Sequence, residues 1–172
     1  MKKLISFSIL FSFILFLSSS SLTAQSKLGV VGKTFTKGEA NILFGKVMGS
    51  IKVAKDDIEK ALEKAGDYVL FAIKDNRVLV LNEKKLSLTE KGYSLAKDEV
   101  AYLLSTEVVK GFLEKTNGKY ITFELRYNSP KTNPKSGQYS TSAVQSGDII
   151  FTITGDNETL EMSLPCPPIC GE

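Results

Sequence analysis

Apolar residues recur at helical spacing in three stretches of the chain, and the first begins near residue 36. Thr36 and Glu39 have the spacing of a capping box, in which each side chain pairs with the main chain of the other residue, so a helix is predicted to begin there. An apolar stripe predicts that this helix continues to Met48 and ends at Gly49. The stripe consists of Ala40, Leu43, Phe44, Val47 and Met48.

The same spacing predicts two further helices. The second covers residues 54–65, where Asp56 and Asp57 suit the positive end of the helix dipole. The third covers residues 105–115 and has Ser105 as its N-cap. Their apolar faces consist of Ile58, Ala61, Leu62 and Ala65 in the second helix and of Val108, Val109, Phe112 and Leu113 in the third.

Residues typical of β-strands follow the second helix. Residues 68–73 and 78–82 are almost continuously apolar, which predicts two strands that are covered on both faces. Between them, Asp75 and Asn76 tolerate the positive φ of a tight turn. The two strands are therefore predicted to form a hairpin.

Residues 120–127 instead alternate between apolar and polar positions, which predicts an antiparallel strand with one face in the core. Thr122, Glu124 and Arg126 lie on the polar face, where they are predicted to be exposed to solvent. Further strands are predicted at residues 99–104, 148–154 and 159–165.

This order of elements predicts an α+β fold. We expect a single domain with an antiparallel sheet of about five or six strands and two or three helices on one face of the sheet. The alternating strand and helix units of a doubly wound nucleotide-binding fold are missing. The domain is expected to cover residues 25–164, followed by a tail at residues 165–172.

Residues 128–147 are polar, contain several serines and two prolines, and lie between two predicted strands. Loops of this length are uncommon in compact domains and are often functional. The segment is predicted to be a surface loop or an edge strand, with a ligand-binding loop as the alternative. A weak candidate binding set in and beside it consists of Tyr127, Lys131, Lys135 and Tyr139.

The first 24 residues have the order of a secretory signal peptide, with a basic start, an apolar run and a small residue, Ala24, before the expected cleavage point. The apolar run is shorter than the roughly 20 residues that span a bilayer. The chain is therefore predicted to be exported, to the periplasm or outside the cell, and not to span the membrane. Without the two lysines of this leader, 20 basic residues face 19 acidic ones, so no nucleic-acid partner is expected.

The chain contains no histidine, and this absence excludes several classes of enzyme. Ser-His-Asp and Cys-His systems, histidine bases and nearly all catalytic zinc sites need this residue. The tripeptide GKT at residues 32–34 matches the end of a phosphate-binding loop, but Lys27 replaces the first glycine of that motif. Glu124 beside Arg126 is a weak candidate for a catalytic carboxylate. No cofactor and no metal site are predicted.

Both cysteines, Cys166 and Cys170, lie in the final nine residues, LPCPPICGE. A disulfide is expected in an exported chain, provided that the two Cα atoms come within about 4.4–6.8 Å of each other. An extended chain would separate them by about 12 Å, so a turn near Pro168 is required. Free thiols, a zinc site shared between two chains and a redox pair are the alternatives.

These observations predict a small exported domain without catalytic machinery, which fits a non-enzymatic binding or structural protein. Its expected partner is a protein or a small-molecule or glycan ligand. One alternative is a hydrolase built on carboxylates, lysine or tyrosine. Another is an inhibitor-like module that presents residues 128–147 or the tail to a partner protein.

Overall fold

The computed structural model describes residues 28–127, 149–161 and 164–166, the last three by their main chain alone. The predicted leader and residues 128–147 therefore lie outside the described residues. The strands are β1 (Lys33–Thr36), β2 (Lys46–Ala54), β3 (Tyr68–Lys74), β4 (Arg77–Leu81), β5 (Ala101–Ser105), β6 (Tyr120–Tyr127), β7 (Ile149–Thr154), β8 (Glu158–Glu161) and β9 (Leu164–Cys166). The helices are α1 (Lys37–Leu43), α2 (Lys55–Leu62) and α3 (Thr106–Lys115).

The strands form two antiparallel sheets. Sheet 1 has the order β1-β8-β7-β6-β2, and sheet 2 has the order β4-β3-β5-β9. The prediction of a single α+β domain is confirmed, although the strands are divided between two sheets instead of forming one. β9 carries Pro165 at the edge of sheet 2, where a strand tolerates a residue without an amide hydrogen. β9 ends at Cys166, whereas Cys170 lies outside the described residues, so the disulfide stays a prediction.

The main core lies between the two sheets. Phe71 of β3, Phe123 of β6 and Phe151 of β7 are fully buried there, and the ring of Tyr102 stacks on that of Phe151 with 4.6 Å between the centroids. Fully burying one apolar side chain contributes about 1.5–3 kcal/mol, so this core attaches α2 and α3 firmly to the sheets. The helices contribute Ile58, Ala61, Leu62, Val109, Phe112 and Leu113.

The β3–β4 hairpin is apolar on both faces, as its sequence predicts. Phe71 points into the main core, whereas Leu70 points into a second cluster that includes Leu95 from the loop after β4. The turn holds Asp75 and Asn76 at φ values of 50° and 57°, the left-handed conformation that these residue types tolerate.

The prediction that the first helix extends to Met48 is wrong. Its start is confirmed, because the Glu39 amide donates to the Thr36 hydroxyl at 3.2 Å and the capping box is complete. The helix ends at Leu43, since Gly45 turns the chain at φ 69°, and β2 begins at the next residue. β2 pairs with β6, so Met48 belongs to an edge strand of sheet 1.

Candidate functional site

A groove of about 1070 Å³ lies between α3 and a wall formed by residues 28–30, which precede β1 and belong to no helix or strand. Ligand sites commonly have volumes of about 300–1,000 Å³, so this groove is large enough for a ligand. Its lining combines apolar, hydroxyl-bearing and charged side chains.

Hydrogen bonds hold the wall formed by residues 28–30 in place. The Val31 amide donates to Ser105 Oγ at 2.8 Å, and the Ser105 amide donates to the Val31 carbonyl at 2.9 Å. The hydroxyl of Tyr68 lies against the carbonyls of Leu28 and Gly29 and donates to them. The wall is therefore attached both to the start of α3 and to β3.

A glycine allows the chain that follows the wall to approach α3 closely. Gly32 has a φ of 108°, and a Cβ at this position would lie 2.9 Å from Leu104 Cδ2 and 3.2 Å from Val108 Cγ1. A larger residue would strain the main chain and push it away from α3.

The end of the groove at the N-terminus of α3 contains one buried hydroxyl that the described residues do not satisfy. Ser105 is the N-cap residue, as predicted, but its hydroxyl accepts the Val31 amide instead of an amide of α3. Next to it, Thr106 Oγ1 is buried and has no hydrogen-bond partner among the described residues. An unpaired buried hydroxyl costs about 1–3 kcal/mol.

Gly111 leaves a depression in the helical wall of the groove. It lies inside α3, and no atom lies within 4 Å of the position that its Cβ would occupy. A glycine inside a helix costs about 0.5–1 kcal/mol relative to alanine. A Cβ at this position would therefore meet open space at the groove.

Charged side chains of both signs surround this depression. They are Glu107, Lys110, Glu114 and Lys115. All four are exposed, and none forms a salt bridge with another described residue. They are therefore available to a ligand.

The prediction that Glu124 and Arg126 face solvent is wrong. α1 covers this face of sheet 1, and the two side chains are only 12% and 4% exposed. Arg126 donates to Glu124 Oε2 from Nε at 2.9 Å and from Nη2 at 2.7 Å, and the hydroxyls of Thr152 and Thr154 donate to the same oxygen. Glu124 Oε2 therefore accepts four hydrogen bonds, and Glu124 does not line the groove.

Of the weak candidate binding set, the structure describes Tyr127 alone, and it places this residue apart from Glu124. Tyr127 is exposed at the end of β6 and points to the opposite face of the sheet from Glu124, because successive strand residues alternate between faces. Lys131, Lys135 and Tyr139 lie outside the described residues, so their role stays a prediction.

The groups with shifted pKa values in the described part of the chain do not identify a reaction centre. The hydrogen bond from Lys74 to Glu99 raises the pKa of the lysine and lowers that of the glutamate, the opposite of what a nucleophilic lysine needs. Burial raises the pKa of Tyr102. The described residues contain no group of three or more Cys, Asp or Glu side chains that could hold a metal ion.

Comparisons with known protein families, with curated proteins and with solved structures found no match. Within residues 28–127, 149–161 and 164–166, no helix is long and apolar enough to cross a membrane. The interpretation of the groove therefore depends on its own residues.

The groove residues were not among the candidates that the sequence suggests. Gly111 is an isolated glycine inside a helical stripe, which lowers helix stability but does not by itself indicate a site. Leu28 and Val30 give no signal in the sequence, since their place beside α3 depends on the folded chain.

Proposed function

We propose that this chain is an exported, non-enzymatic binding protein whose ligand occupies the groove between α3 and the wall formed by residues 28–30. The observation that carries the proposal is the open space above Gly111. Alanine would stabilise α3 at this position without a clash, so the glycine has a cost that packing does not explain. A ligand that needs the depression accounts for it.

The side chains of the groove favour binding over catalysis. A hydrolase built on carboxylates needs acid and base groups that face a substrate pocket. The candidate carboxylate, Glu124, is paired with Arg126 beneath α1 instead. Glu107 and Glu114 line the groove, but both are exposed and no described residue holds either side chain in place by a hydrogen bond or a salt bridge. What the groove offers is a set of unpaired charges, hydroxyls and apolar side chains, which suits recognition.

A variant that fills the groove tests the proposal. Residues 25–172 are screened on arrays of glycans and of short peptides, and each ligand found is titrated by calorimetry. Leucine is a good helix former, so Gly111→Leu is expected to fold and to place its side chain in the groove. We expect it to raise the Kd of the ligand by about tenfold or more.

Gly49→Leu is the matched control. Gly49 also has open space at its Cβ position, but it lies in β2 and does not line the groove. If folded Gly111→Leu binds every ligand as tightly as the Gly49→Leu control does, the groove is not the binding site. Turnover of an ester, peptide or glycoside by the metal-free protein would contradict the non-enzymatic part of the proposal.

Export is tested on its own. The signal-peptide pattern predicts cleavage after Ala24, so N-terminal sequencing of the secreted protein should begin at Gln25. Protein that keeps residues 1–24 after expression in a secreting host would contradict this part.

A further inference from the structure

We infer that the ligand of the groove is an extended segment of another protein, with an apolar residue flanked by charged residues of both signs. This inference rests on the proposed function, because it names the class of ligand for the same groove.

Residues 28–30 have main-chain groups that the described fold leaves unpaired. The amides of Gly29 and Val30 and the carbonyl of Val30 have no hydrogen-bond partner among the described residues. The bonds that Tyr68 donates to Leu28 and Gly29, and those between Val31 and Ser105, hold the neighbouring main-chain groups in place. A peptide can add to free amides and carbonyls by main-chain hydrogen bonds.

The wall also offers apolar contact. Leu28 and Val30 are 38% and 80% exposed, and both line the groove. Val108 of α3 also lines the groove. An apolar side chain of the ligand can be buried among these three residues and enter the depression at Gly111.

The charges of α3 distinguish a peptide from other ligands. Glu107 and Glu114 repel a purely anionic chain such as a nucleic acid, whereas Lys110 and Lys115 repel a purely cationic one. A neutral glycan would form no ion pair with any of these four side chains. A peptide with both acidic and basic residues pairs with both signs and supplies the main-chain groups that the wall requires.

A peptide library tests the inference. α3 has ten residues and spans about 15 Å, which matches about five residues of extended chain. Random peptides of about twelve residues, displayed on phage, therefore cover the groove. They are selected on immobilised residues 25–172, and the enriched peptides are titrated against wild type, Gly111→Leu and the Gly49→Leu control.

We expect enriched peptides to carry an apolar residue between acidic and basic ones, and Gly111→Leu to raise their Kd by about tenfold or more while Gly49→Leu leaves it unchanged. Lys110→Glu/Lys115→Glu should weaken peptides whose acidic residues are needed for binding. Circular dichroism and urea unfolding establish that each variant is folded.

Three results would overturn the inference in distinguishable ways. If only glycans bind and Gly111→Leu weakens them, the groove is the site but the ligand is not a peptide. If the protein forms a dimer that Gly111→Leu abolishes, the occupant is a second copy of this chain. If no peptide or glycan responds to Gly111→Leu, the inference and the proposed function both fail.

Discussion

Glu124 and Arg126 bring an ion pair into the covered face of sheet 1, and the pair joins that sheet to α1. Arg126 Nη1 donates to Asn41 Oδ1 at 3.0 Å and to the Gly45 carbonyl at 3.3 Å. Removing two charges from water is costly, and the cost is offset only by good geometry and further hydrogen bonds. The pair is therefore best understood as one unit with its neighbours.

Replacing one member of the pair should be more harmful than replacing both. Arg126→Met leaves the buried carboxylate of Glu124 without its cation, and we expect it to lower the free energy of unfolding by about 3–5 kcal/mol. In Glu124→Gln/Arg126→Met, the amide oxygen still accepts the threonine hydroxyls and no charge is buried, so part of the loss should be recovered. Urea unfolding measures both. A double variant no more stable than Arg126→Met would contradict the unpaired charge as the cause.

Glu39 makes the stability of the fold depend on pH. Its carboxylate accepts the Thr36 amide at 2.9 Å and the Thr36 hydroxyl at 2.8 Å, and these bonds hold the pKa of Glu39 below its usual range. Because the folded-state pKa is lowered, the stabilisation is present above the unfolded-state pKa and is lost as the pH falls through the folded-state pKa.

The variant Glu39→Gln isolates this effect, since glutamine keeps the capping box but does not ionise. It should be less stable than wild type at neutral pH, and the difference should shrink as the pH falls below about 4. Urea unfolding at several pH values measures the difference. A difference that stays constant down to pH about 3 would contradict the assignment.

At the scale of elements, those with strong local signals follow the sequence closely. The hairpin has Asp75 and Asn76 at its turn, and α2 and α3 each have an apolar face that the structure buries. The first helix is different, because Val47 and Met48 continue its helical spacing, whereas Ile51, Lys52 and Val53 alternate as in a strand. Pairing with the distant β6 decides in favour of β2, and no local pattern contains that information.

The groove was beyond local prediction for the same reason. Its two walls are far apart in sequence, and long-range contacts such as the bonds between Val31 and Ser105 bring them together. The burial of Glu124 was missed because a strand of alternating pattern is expected to be half exposed, whereas α1 covers its polar face.

Substitution by alanine should have opposite effects on the free energy of unfolding at two glycines. Gly45 has a φ of 69°, where a Cβ meets the following carbonyl, so Gly45→Ala is expected to lower the free energy of unfolding by about 1–2 kcal/mol. Gly111 is helical and open, so Gly111→Ala is expected to raise it by about 0.5–1 kcal/mol. Urea unfolding measures both changes. Destabilisation by Gly111→Ala would show that packing does require the glycine, which removes the main support for the groove.

At the scale of the whole molecule, the end of the chain connects the two sheets. β8 lies inside sheet 1, and β9 follows it directly but pairs with β5 in sheet 2. The sequence predicts one continuous strand here because residues 159–165 have a single apolar pattern. The division into two sheets depends on pairings between distant strands, and β9 places Cys166 opposite Ala101 of β5.

The predicted disulfide would fasten the residues that follow β9 to this anchored strand. Closing so small a ring is expected to stabilise the fold by about 2 kcal/mol through the entropy of the unfolded chain. Exported protein should therefore gain the mass of one pair of hydrogen atoms on reduction, as measured by intact-mass spectrometry, and Cys170→Ser should lose about 2 kcal/mol in urea unfolding. Cys166→Ser/Cys170→Ser is the control, since it should match Cys170→Ser and be insensitive to reductant. An unchanged mass together with wild-type stability in Cys170→Ser would mean that β9 is held by its pairing with β5 alone.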